Sequence, residues 1–403
     1  MKDELIIIGG GHAGGMAAVL LVQKKFSGNI TIIGDENFLP YQRPALSKSF
    51  LLGATQKESL YIKNKDFYNK NGVNILLGTK VVSIDRKNKY VILDNEQKKI
   101  YTKLIIASGS NLKEIQFPGD NNSISYLRTI DDSEKLKNDI ESKNSIAIIG
   151  SGYIGLEIAA TAAKNNLDIN VIEFENRVMS RSASSQISSF FESKHKKAGV
   201  NFRFGLAATH IKNGDKNKNL FLSDGTTVKA EIVAAGIGGE PNIFLAKESG
   251  LKCKNGIIVD QNCLTSDKNI FAIGDCTNHP NDIYGCSLRL ESVHNAVEQA
   301  KTAVKYILGS PTPYCQVPWF WSDQYDIKLQ IAGIYQGCDA QIINGSLKDE
   351  KFSVLSLKNN RLTAVESVNK PKDFMLGKKL IEKQTRISTK QLKVKNLDLK
   401  SLL

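Results

Sequence analysis

Residues 5–14 read Leu-Ile-Ile-Ile-Gly-Gly-Gly-His-Ala-Gly, an apolar run that leads directly into a G-x-G-x-x-G motif and an Ala-rich segment. This pattern predicts a strand, a phosphate-binding turn and a helix. Gly9 permits the tight turn, Gly11 lets the backbone approach a pyrophosphate, and Gly14 lets the helix pack on the strand. The helix N-terminus carries about half an elementary positive charge, which attracts phosphate.

An acidic residue follows the next apolar run, Asn29–Ile33. In a dinucleotide-binding βαβ unit an acid at this place binds the ribose hydroxyls, and Asp35 or Glu36 can take that role. A lone G-x-G-x-x-G is also found in ordinary glycine-rich core turns. The strand before it, the helix after it and the acid at the second strand together favour the dinucleotide-binding interpretation.

Length and composition exclude several classes of protein. The chain has 403 residues and 41% hydrophobic residues, enough for two or three domains. No apolar stretch approaches the roughly 20 residues that span a bilayer, so we expect a cytoplasmic protein without membrane contact. The six cysteines are widely spaced and form no C-x-x-C pair, so we expect no metal site and no vicinal disulfide.

The formal net charge is +13, with a pI near 9.2. The lysines are dispersed rather than clustered, which disfavours nucleic-acid binding. A solvated basic surface and an acidic protein partner both remain open as explanations.

A second complete fingerprint lies in residues 145–157, Ser-Ile-Ala-Ile-Ile-Gly-Ser-Gly-Tyr-Ile-Gly-Leu-Glu. The following strand, predicted over 169–174, carries Glu173 near its end. Residues 205–236 then repeat the plan of residues 78–109, a hairpin followed by a buried strand that ends in glycine. The chain therefore contains an internal duplication of one nucleotide-binding design.

Two dinucleotide sites in one chain indicate one permanently bound redox cofactor and one exchanging nicotinamide. Glu173 would accept a hydrogen bond from the adenosine 2′-hydroxyl and repel a 2′-phosphate, which predicts a preference for NADH over NADPH. Arg181 is a candidate contact to the adenosine ribose. Arg177, close by, is a cation that could favour NADPH instead.

Three later segments also carry candidate functional residues. Residues 39–48 hold two prolines and form a loop, and Asp275 follows a short apolar strand and could bind a ribityl hydroxyl. Beyond residue 313 the pattern becomes mainly alternating, which predicts a third, antiparallel domain. It begins with the aromatic segment Trp319-Phe320-Trp321.

Several of these motifs together resemble the oxygenase-coupled NADH-dependent ferredoxin reductases, the family of putidaredoxin reductase-like and rubredoxin reductase-like FAD flavoproteins. The resemblance covers nearly the whole chain. It rests on Pro40-Tyr41-Gln42-Arg43-Pro44 with Leu46-Ser47-Lys48, Tyr126-Leu127-Arg128-Thr129, Gly236-Ile237-Gly238 with Pro241-Asn242, Ala272-Ile273-Gly274-Asp275-Cys276, Glu291-Ser292-Val293 with Asn295-Ala296, and Pro318-Trp319-Phe320-Trp321-Ser322-Asp323-Gln324-Tyr325.

The resemblance implies an α/β fold with two Rossmann-like domains, as in glutathione-reductase-like flavoproteins, plus a C-terminal α+β domain. It places an FAD-binding domain at 1–113 and 241–313, an NAD-binding domain at 114–240 and an interface domain at 314–403. It implies FAD contacts from Gly9, Gly11, Ala13, Gly14, Asp35, Arg43, Lys48, Val81, Arg128, Asp275 and Val293. It implies NAD contacts from Gly150, Gly152, Tyr153, Ile154, Gly155, Glu173 and Arg181.

By the same resemblance, Lys48 and Glu157 form an ion pair beside the reacting edge of the flavin, and Trp321 lies where a partner docks. Each residue has a plainer alternative. Arg43 and Lys48 could be surface cations, Glu157 could be a first-turn acid that complements the helix dipole, and the tryptophans could be core residues. His12, His195 and His294 are interpreted as structural, because hydride transfer hardly requires acid–base catalysis.

No cysteine precedes residue 253, so we expect no redox disulfide near the flavin. Reduced flavin would therefore give its electrons to an external acceptor. The resemblance implies a [2Fe-2S] ferredoxin or rubredoxin that serves a monooxygenase or dioxygenase. The alternatives are a small acceptor such as a quinone, dehydroascorbate radical or oxygen, or an apoptosis-inducing-factor-like protein whose NADH-bound form binds partners.

Overall fold

The computed structural model describes residues 2–117, 123–388, 391 and 397–403. The chain forms two compact units. The first unit comprises Met1–Arg43, Lys57–Asn111 and Gly239–Pro318, and the second comprises Pro44–Gln56, Leu112–Gly238 and Trp319–Leu403. Part of the lysine-rich tail, at 389–390 and 392–396, lies outside the described residues.

Helices and strands are numbered along the chain. The helices are α1 (His12–Gln23), α2 (Lys65–Lys70), α3 (Ile130–Ser142), α4 (Tyr153–Lys164), α5 (Ser185–Lys197), α6 (Phe244–Glu248), α7 (Val293–Ile307) and α8 (Pro371–Glu382). The strands are β1 (Glu4–Ile8), β2 (Asn29–Ile33), β3 (Val73–Leu76), β4 (Val81–Asp85), β5 (Tyr90–Leu93), β6 (Lys98–Ile100), β7 (Lys103–Ile106), β8 (Ser110–Leu112), β9 (Ile124–Tyr126), β10 (Ser145–Ile149), β11 (Asp168–Glu173), β12 (Val200–Phe204), β13 (Ala208–Asn213), β14 (Lys218–Leu222), β15 (Thr227–Ala230), β16 (Ile232–Ala235), β17 (Gly239–Pro241), β18 (Ile257–Ile258), β19 (Ile270–Ala272), β20 (Thr277–Asn281), β21 (Cys286–Leu288), β22 (Trp319–Gln324), β23 (Ile327–Gly333), β24 (Ala340–Ser346), β25 (Lys351–Lys358) and β26 (Arg361–Val368).

The first unit is built around a parallel sheet of order β19-β7-β1-β2-β3. Its central strand β1 is almost wholly apolar and buried, as expected for a parallel strand covered on both faces. The Ala-rich helix α1 packs on α7 through small side chains such as Ala17 and Ala300. The central strand therefore delivers the glycine turn to the carboxyl edge of the sheet, where open α/β sheets bind ligands.

The second unit contains the duplicate, a parallel sheet of order β12-β11-β10-β16-β9. The two turns are fixed in the same way. The Gly9 amide donates to the Ile33 carbonyl at 2.8 Å, and the Gly150 amide donates to the Ile172 carbonyl at 2.8 Å. Each copy also has a three-stranded antiparallel sheet, β4-β5-β6 and β13-β14-β15. The predicted fold class and internal duplication are confirmed.

The second unit also contains an antiparallel sheet of order β22-β23-β26-β25-β24. One hydrophobic cluster packs this sheet against helices α4 and α5, with Leu156 and Phe191 on one side and Leu329 and Val354 on the other. The sequence did not predict β22 as a strand, because its run of aromatic residues lacks polar alternation. The three predicted domain boundaries remain predictions.

Among the described residues, none of the helices combines the length and the apolar character needed to cross a bilayer.

Glu366 is a carboxyl group in the middle of the antiparallel sheet. It lies on β26 between Ile331 and Val354 of the neighbouring strands and is 0% exposed. Its Oε1 accepts from the Ser184 amide at 2.8 Å, whereas Oε2 has no hydrogen-bond partner among the described residues. Burial raises the pKa of Glu366 to about 7, because the ionised form loses its hydration.

This raised pKa predicts a pH-dependent effect of Glu366→Gln. The folded state favours the protonated Glu366 carboxyl. The contribution of this group to the free energy of unfolding is therefore fully present below its pKa in the unfolded chain, and it is lost as the pH rises through its folded-state pKa of about 7. We expect the free energy of unfolding of Glu366→Gln, minus that of the parent, to be roughly 2 kcal/mol higher at pH 8 than at pH 5.

Denaturant unfolding of both proteins at the two pH values measures this difference. The exposed Glu382→Gln is the matched control, and its relative stability should be independent of pH. Equal relative stabilities of the Glu366 variant at pH 5 and pH 8 would contradict the assignment.

Candidate functional site

The first glycine turn leaves space at one position and none at two others. A Cβ on Gly9, whose φ is +109°, would lie 2.3 Å from the Ala107 oxygen, and a Cβ on Gly14 would lie 2.1 Å from the Gly9 oxygen. These glycines are therefore required by backbone contacts. A Cβ on Gly11 would meet nothing within 4 Å, so this glycine faces open space.

The first backbone amides of the helix that follows receive no hydrogen-bond acceptor from an N-cap side chain. Gly11 is the N-cap of α1 and offers no side-chain acceptor, and the first turn has no acidic residue. The ring nitrogen Nδ1 of His12 is buried without a partner. Burial also lowers the pKa of His12 to about 4, so the ring is neutral at pH 7. Unpaired donors beside an open glycine fit the pyrophosphate of a dinucleotide.

Other predicted residues of the first unit lie close to this turn or near strand ends. The backbone at Gly274 approaches Ala13 so closely that a Cβ there would lie 3.0 Å from the Ala13 Cβ, which places Asp275 near the start of α1. Val81 begins β4 and is buried, and Val293 begins α7. Asp35 is exposed and follows β2 by two residues.

Arg43 belongs to the first unit and is held by that unit's own residues. Its guanidinium forms an ion pair with Glu36 and donates to the Tyr41 hydroxyl at 2.8 Å. The Tyr41 hydroxyl in turn donates to Glu36 at 2.5 Å. The sequence analysis missed this pairing of Glu36. The expected cofactor contact of Arg43 remains a prediction.

The second glycine turn repeats the arrangement of the first. A Cβ on Gly155 would lie 2.1 Å from the Gly150 oxygen, and one on Gly150 would lie 2.7 Å from the Gly236 oxygen. At Gly152, the N-cap of α4, the nearest atom would be at 3.8 Å, an ordinary contact distance. Gly152 likewise offers no side-chain cap to the helix. This turn also fits a dinucleotide phosphate.

The carboxylate of Glu173 lies directly beside this second turn. Its Oε2 accepts from the Ser151 amide at 2.7 Å and the Ser151 hydroxyl at 2.6 Å. Its Oε1 accepts from the Glu175 amide at 2.9 Å. The corresponding positions of the first copy are Gly10 and Gly34, which approach each other without side chains. The two sites therefore differ in charge at the position next to the turn.

The remaining predicted residues of the second site surround Glu173 less closely. Tyr153 donates to the Ser182 carbonyl at 3.2 Å, and Ile154 is exposed on the first turn of α4. Arg181 is exposed, and its guanidinium is 3.5 Å from the Ile237 carbonyl oxygen.

Arg177 is held within its own loop. It donates to the Ser180 carbonyl at 2.7 Å, to the Ala183 carbonyl at 2.8 Å and to the Ser188 hydroxyl. These contacts give Arg177 a structural role, which removes the main sequence argument for NADPH.

Glu157 is the most deeply buried acid among the predicted site residues, at 2% exposure. Its Oε2 accepts from Lys48 Nζ at 2.8 Å and from the Ser47 hydroxyl at 2.5 Å. Its Oε1 accepts from the Ser322 hydroxyl at 2.5 Å. Glu157 lies beyond the first turn of α4, so it does not serve as a first-turn acid. The structure pairs the two residues that the resemblance paired.

The serines that hold Glu157 were missed from the sequence. Ser47 stands next to Lys48, and Ser322 follows Trp321, so both fall inside motifs already noted. Their only signal was a small polar residue within an otherwise apolar or aromatic segment. Arg128 lies just before α3, where its amide donates to the Asp132 carboxylate at 3.0 Å.

The aromatic segment alternates along β22. Phe320 meets Tyr153 edge to face, with ring centroids 4.8 Å apart. Trp319 contacts Trp321 at 5.8 Å and Phe374 of α8 at 5.4 Å. Neither tryptophan is fully buried, so the segment is more than a core element.

The cysteines offer no thiol chemistry near either turn. None of the six forms a disulfide, and burial raises the pKa of Cys276, next to Asp275, to about 11. In the described part of the chain, no cluster of three or more His, Cys, Asp or Glu side chains could hold a metal ion.

Comparison with known proteins now adds to this geometry. Residues 3–300 match the pyridine nucleotide-disulphide oxidoreductase family. The chain belongs to this family. Residues 319–403 match a second family described as reductase C-terminal. As a pyridine nucleotide-disulphide oxidoreductase the protein is an enzyme that binds FAD and uses NAD(H).

Individual relatives cover nearly the full length. Rhodocoxin reductase of Rhodococcus erythropolis is 40% identical over 98% of this chain and 93% of its own. Putidaredoxin reductase CamA of Pseudomonas putida is 36% identical over 100% of this chain and 97% of its own. The solved covalent putidaredoxin reductase–putidaredoxin complex matches with a TM-score of 0.95 at 35% identity, over 99% of this chain and 98% of that chain. The resemblance drawn from the motifs is confirmed.

The open glycines predict separate losses of the two cofactors. We expect Gly11→Ala to fold, because its Cβ meets no protein atom, but to lose flavin because the methyl group occupies the space of a phosphate. We expect Gly152→Ala to keep its flavin and to bind NADH about tenfold more weakly.

The flavin-to-protein absorbance ratio and NADH titration measure the two effects, and each variant serves as the control of the other. Full flavin content in Gly11→Ala, or unchanged NADH affinity in Gly152→Ala, would refute the corresponding site.

Proposed function

We propose that this protein is an NADH-dependent ferredoxin reductase, which passes electrons from NADH through FAD to a [2Fe-2S] ferredoxin or rubredoxin that serves a monooxygenase or dioxygenase. The observation that carries the proposal is the presence of two dinucleotide turns in a chain whose six cysteines form no disulfide. Without a redox disulfide, an oxidoreductase of this family gives its electrons to an external acceptor. The names of the full-length relatives support the same acceptor class.

FAD is held mainly by the first unit. The Gly11 turn and the N-terminus of α1 bind its pyrophosphate, and Asp35 binds its adenosine ribose. Asp275 binds the ribityl chain. The remaining FAD contacts in this proposal are Gly9, Ala13, Gly14, Arg43, Val81 and Val293 of the same unit.

NAD(H) is held by the second unit through Gly150, Gly152, Tyr153, Ile154, Gly155, Glu173 and Arg181. FAD, when bound, would supply the redox chemistry that couples NADH, a two-electron donor, to a one-electron acceptor. Lys48 and Glu157 position the nicotinamide. The Lys48 ammonium and the Glu157 carboxylate each offset part of the cost of burying the other.

The partner is an acidic electron carrier. A net charge of +13 favours association with an acidic protein and predicts that salt slows the encounter. Trp321 contributes to the contact with this partner, since it is only partly buried in an aromatic segment at the edge strand β22. The protein acts in the cytoplasm, and cysteines that form no disulfide are usual for a reducing compartment.

Glu173→Ala tests the nucleotide preference. Losing a charged acceptor for the 2′-hydroxyl should raise the KM for NADH about tenfold, and losing its negative charge should improve the use of NADPH. The ratio of kcat/KM for the two nucleotides measures this change.

The control is Ser151→Ala, which removes one hydrogen bond to Glu173 but keeps the carboxylate. It should retain most of the preference for NADH. An unchanged nucleotide ratio in Glu173→Ala would rule out the proposed role.

NADH-dependent reduction of cytochrome c tests the acceptor. We expect a [2Fe-2S] ferredoxin or a rubredoxin to raise the rate of the purified flavoprotein by about two orders of magnitude, and added salt to reduce this gain. The matched comparison is the rate with a panel of acidic carriers against the rate with variants of the same carriers whose surface carboxylates are neutralised.

Other results would replace the proposal. Rapid turnover with quinone or oxygen, independent of any carrier, would favour reduction of a small acceptor. Slow NADH turnover together with tight binding to a nucleic-acid duplex would favour a partner-binding protein of the apoptosis-inducing-factor type.

A further inference from the structure

A line of buried hydrogen bonds leads away from Glu157 through the second unit. Glu157 Oε1 accepts from Ser322 Oγ at 2.5 Å, and Ser322 Oγ is 3.0 Å from Gln324 Nε2. Gln324 Oε1 is 2.8 Å from His195 Nε2, and His195 Nδ1 is 2.9 Å from the Tyr325 hydroxyl. We call Ser322, Gln324, His195 and Tyr325 the donor chain.

The ionised carboxylate fixes the direction of every bond in the donor chain. A carboxylate only accepts hydrogen bonds, so the Ser322 hydroxyl must donate its single proton to the hydrogen bond with Glu157. The Ser322 oxygen then accepts a hydrogen bond from the amide nitrogen Nε2 of Gln324. The amide oxygen of Gln324 then faces His195, which must donate from Nε2. The remaining ring nitrogen Nδ1 is therefore an acceptor, and the Tyr325 hydroxyl donates a hydrogen bond to it.

Burial makes this order strict. Ser322 and His195 are 0% exposed and Gln324 is 1% exposed, so water does not compete for these groups. Hydrogen bonds arranged in one direction polarise one another and strengthen the final bond to the anion. Burial lowers the pKa of His195 to about 4, so the ring stays neutral and keeps one tautomer at ordinary pH.

The sequence places these groups by simple periodicity. Ser322 and Gln324 are two residues apart on β22 and share its buried face, whereas Asp323 between them is exposed. His195 lies in the last turn of α5. Tyr325 follows β22 in the left-handed region, with φ of +58°, a conformation that its hydrogen bond to His195 helps to hold.

We propose that the donor chain positions Glu157, with Ser322, Gln324 and His195 as positioning residues that hold its carboxylate in one orientation against Lys48. Lys48 and Ser47 hold Oε2, and the donor chain holds Oε1, so the carboxylate cannot rotate without breaking a buried bond. The inference rests on the proposed function only where it gives Glu157 a task in hydride transfer.

The tautomer of His195 gives a test that is independent of catalysis. The chain has five histidines, so a long-range proton–nitrogen NMR spectrum of the ¹⁵N-histidine-labelled holoenzyme can be assigned by single substitutions. We expect only the Nε2-protonated tautomer in the parent protein. Ser322→Ala lets the side-chain amide of Gln324 flip, which exchanges its oxygen and nitrogen, and it should give a mixture of His195 tautomers. Ser322→Thr, which keeps the hydroxyl, should retain the single tautomer.

The rate constant of flavin reduction at saturating NADH tests the consequence. Ser322→Ala should lower it about tenfold, since one hydrogen bond to a charged group is lost, with a much smaller change in NADH affinity. His195→Phe should lower it about threefold, and the double variant should be no slower than Ser322→Ala alone, because both act through one chain. His210→Gln, outside the donor chain, is the matched control and should change neither measurement.

The outcomes separate this inference from the proposed function. A parent protein with the Nδ1-protonated tautomer would overturn the donor chain itself. If Glu157→Gln slows flavin reduction but Ser322→Ala changes the tautomer without changing the rate, the positioning role fails while the proposed function stands. If Glu157→Gln leaves the rate unchanged, the task assigned to Glu157 fails, and a single tautomer that depends on Ser322 still supports the chain.

Discussion

A buried negative charge is the constraint on which much of the second unit depends. Glu157 lies at 2% exposure, and an uncompensated carboxylate at such depth costs several kcal/mol. Its compensation comes from Lys48, Ser47 and Ser322, which belong to segments far apart in sequence. This pairing also explains why residues 44–56 belong to the second unit, although the chain on both sides of them belongs to the first.

The two copies of the βαβ design show how one backbone serves two ligands. Both use a glycine whose Cβ would collide with a carbonyl oxygen, at Gly14 and at Gly155, so helix and strand approach equally closely. They differ at one pair of positions. The first copy has Gly10 and Gly34, and the second has a hydrogen-bonded serine and glutamate, which hold a negative charge beside a nucleotide that must come and go.

Local elements were predictable because their signals are local. The strands predicted over 29–33 and 169–174 match β2 and β11 within a residue. Glycine spacing identified both turns, because backbone collisions leave no other choice there. The strand β22 escaped prediction because aromatic side chains occupy both of its faces.

The side-chain network around Glu157 was not predictable in full. A motif can place Lys48 and Glu157 together by resemblance, but the contacts of Ser47 and Ser322 depend on tertiary packing across 110 and 165 residues. The role of Glu36 as the partner of Arg43 was missed for a related reason, since an acid after a strand also suits a ribose. Neither polar pairing has a periodic signal.

The separation of these groups along the chain has a consequence for biosynthesis. A ribosome delivers Ser47, Lys48 and Glu157 well before Ser322, so the nucleotide-binding sheets can form while one oxygen of the carboxylate still lacks its buried donor. Emergence of β22 supplies that donor, and the later strands β25 and β26 contribute Phe352, Val354 and Val368 to the hydrophobic cluster. A chain cut short before β22 would carry both glycine turns but an incompletely held acid, so assembly of the second unit waits until residues 319–368 have emerged.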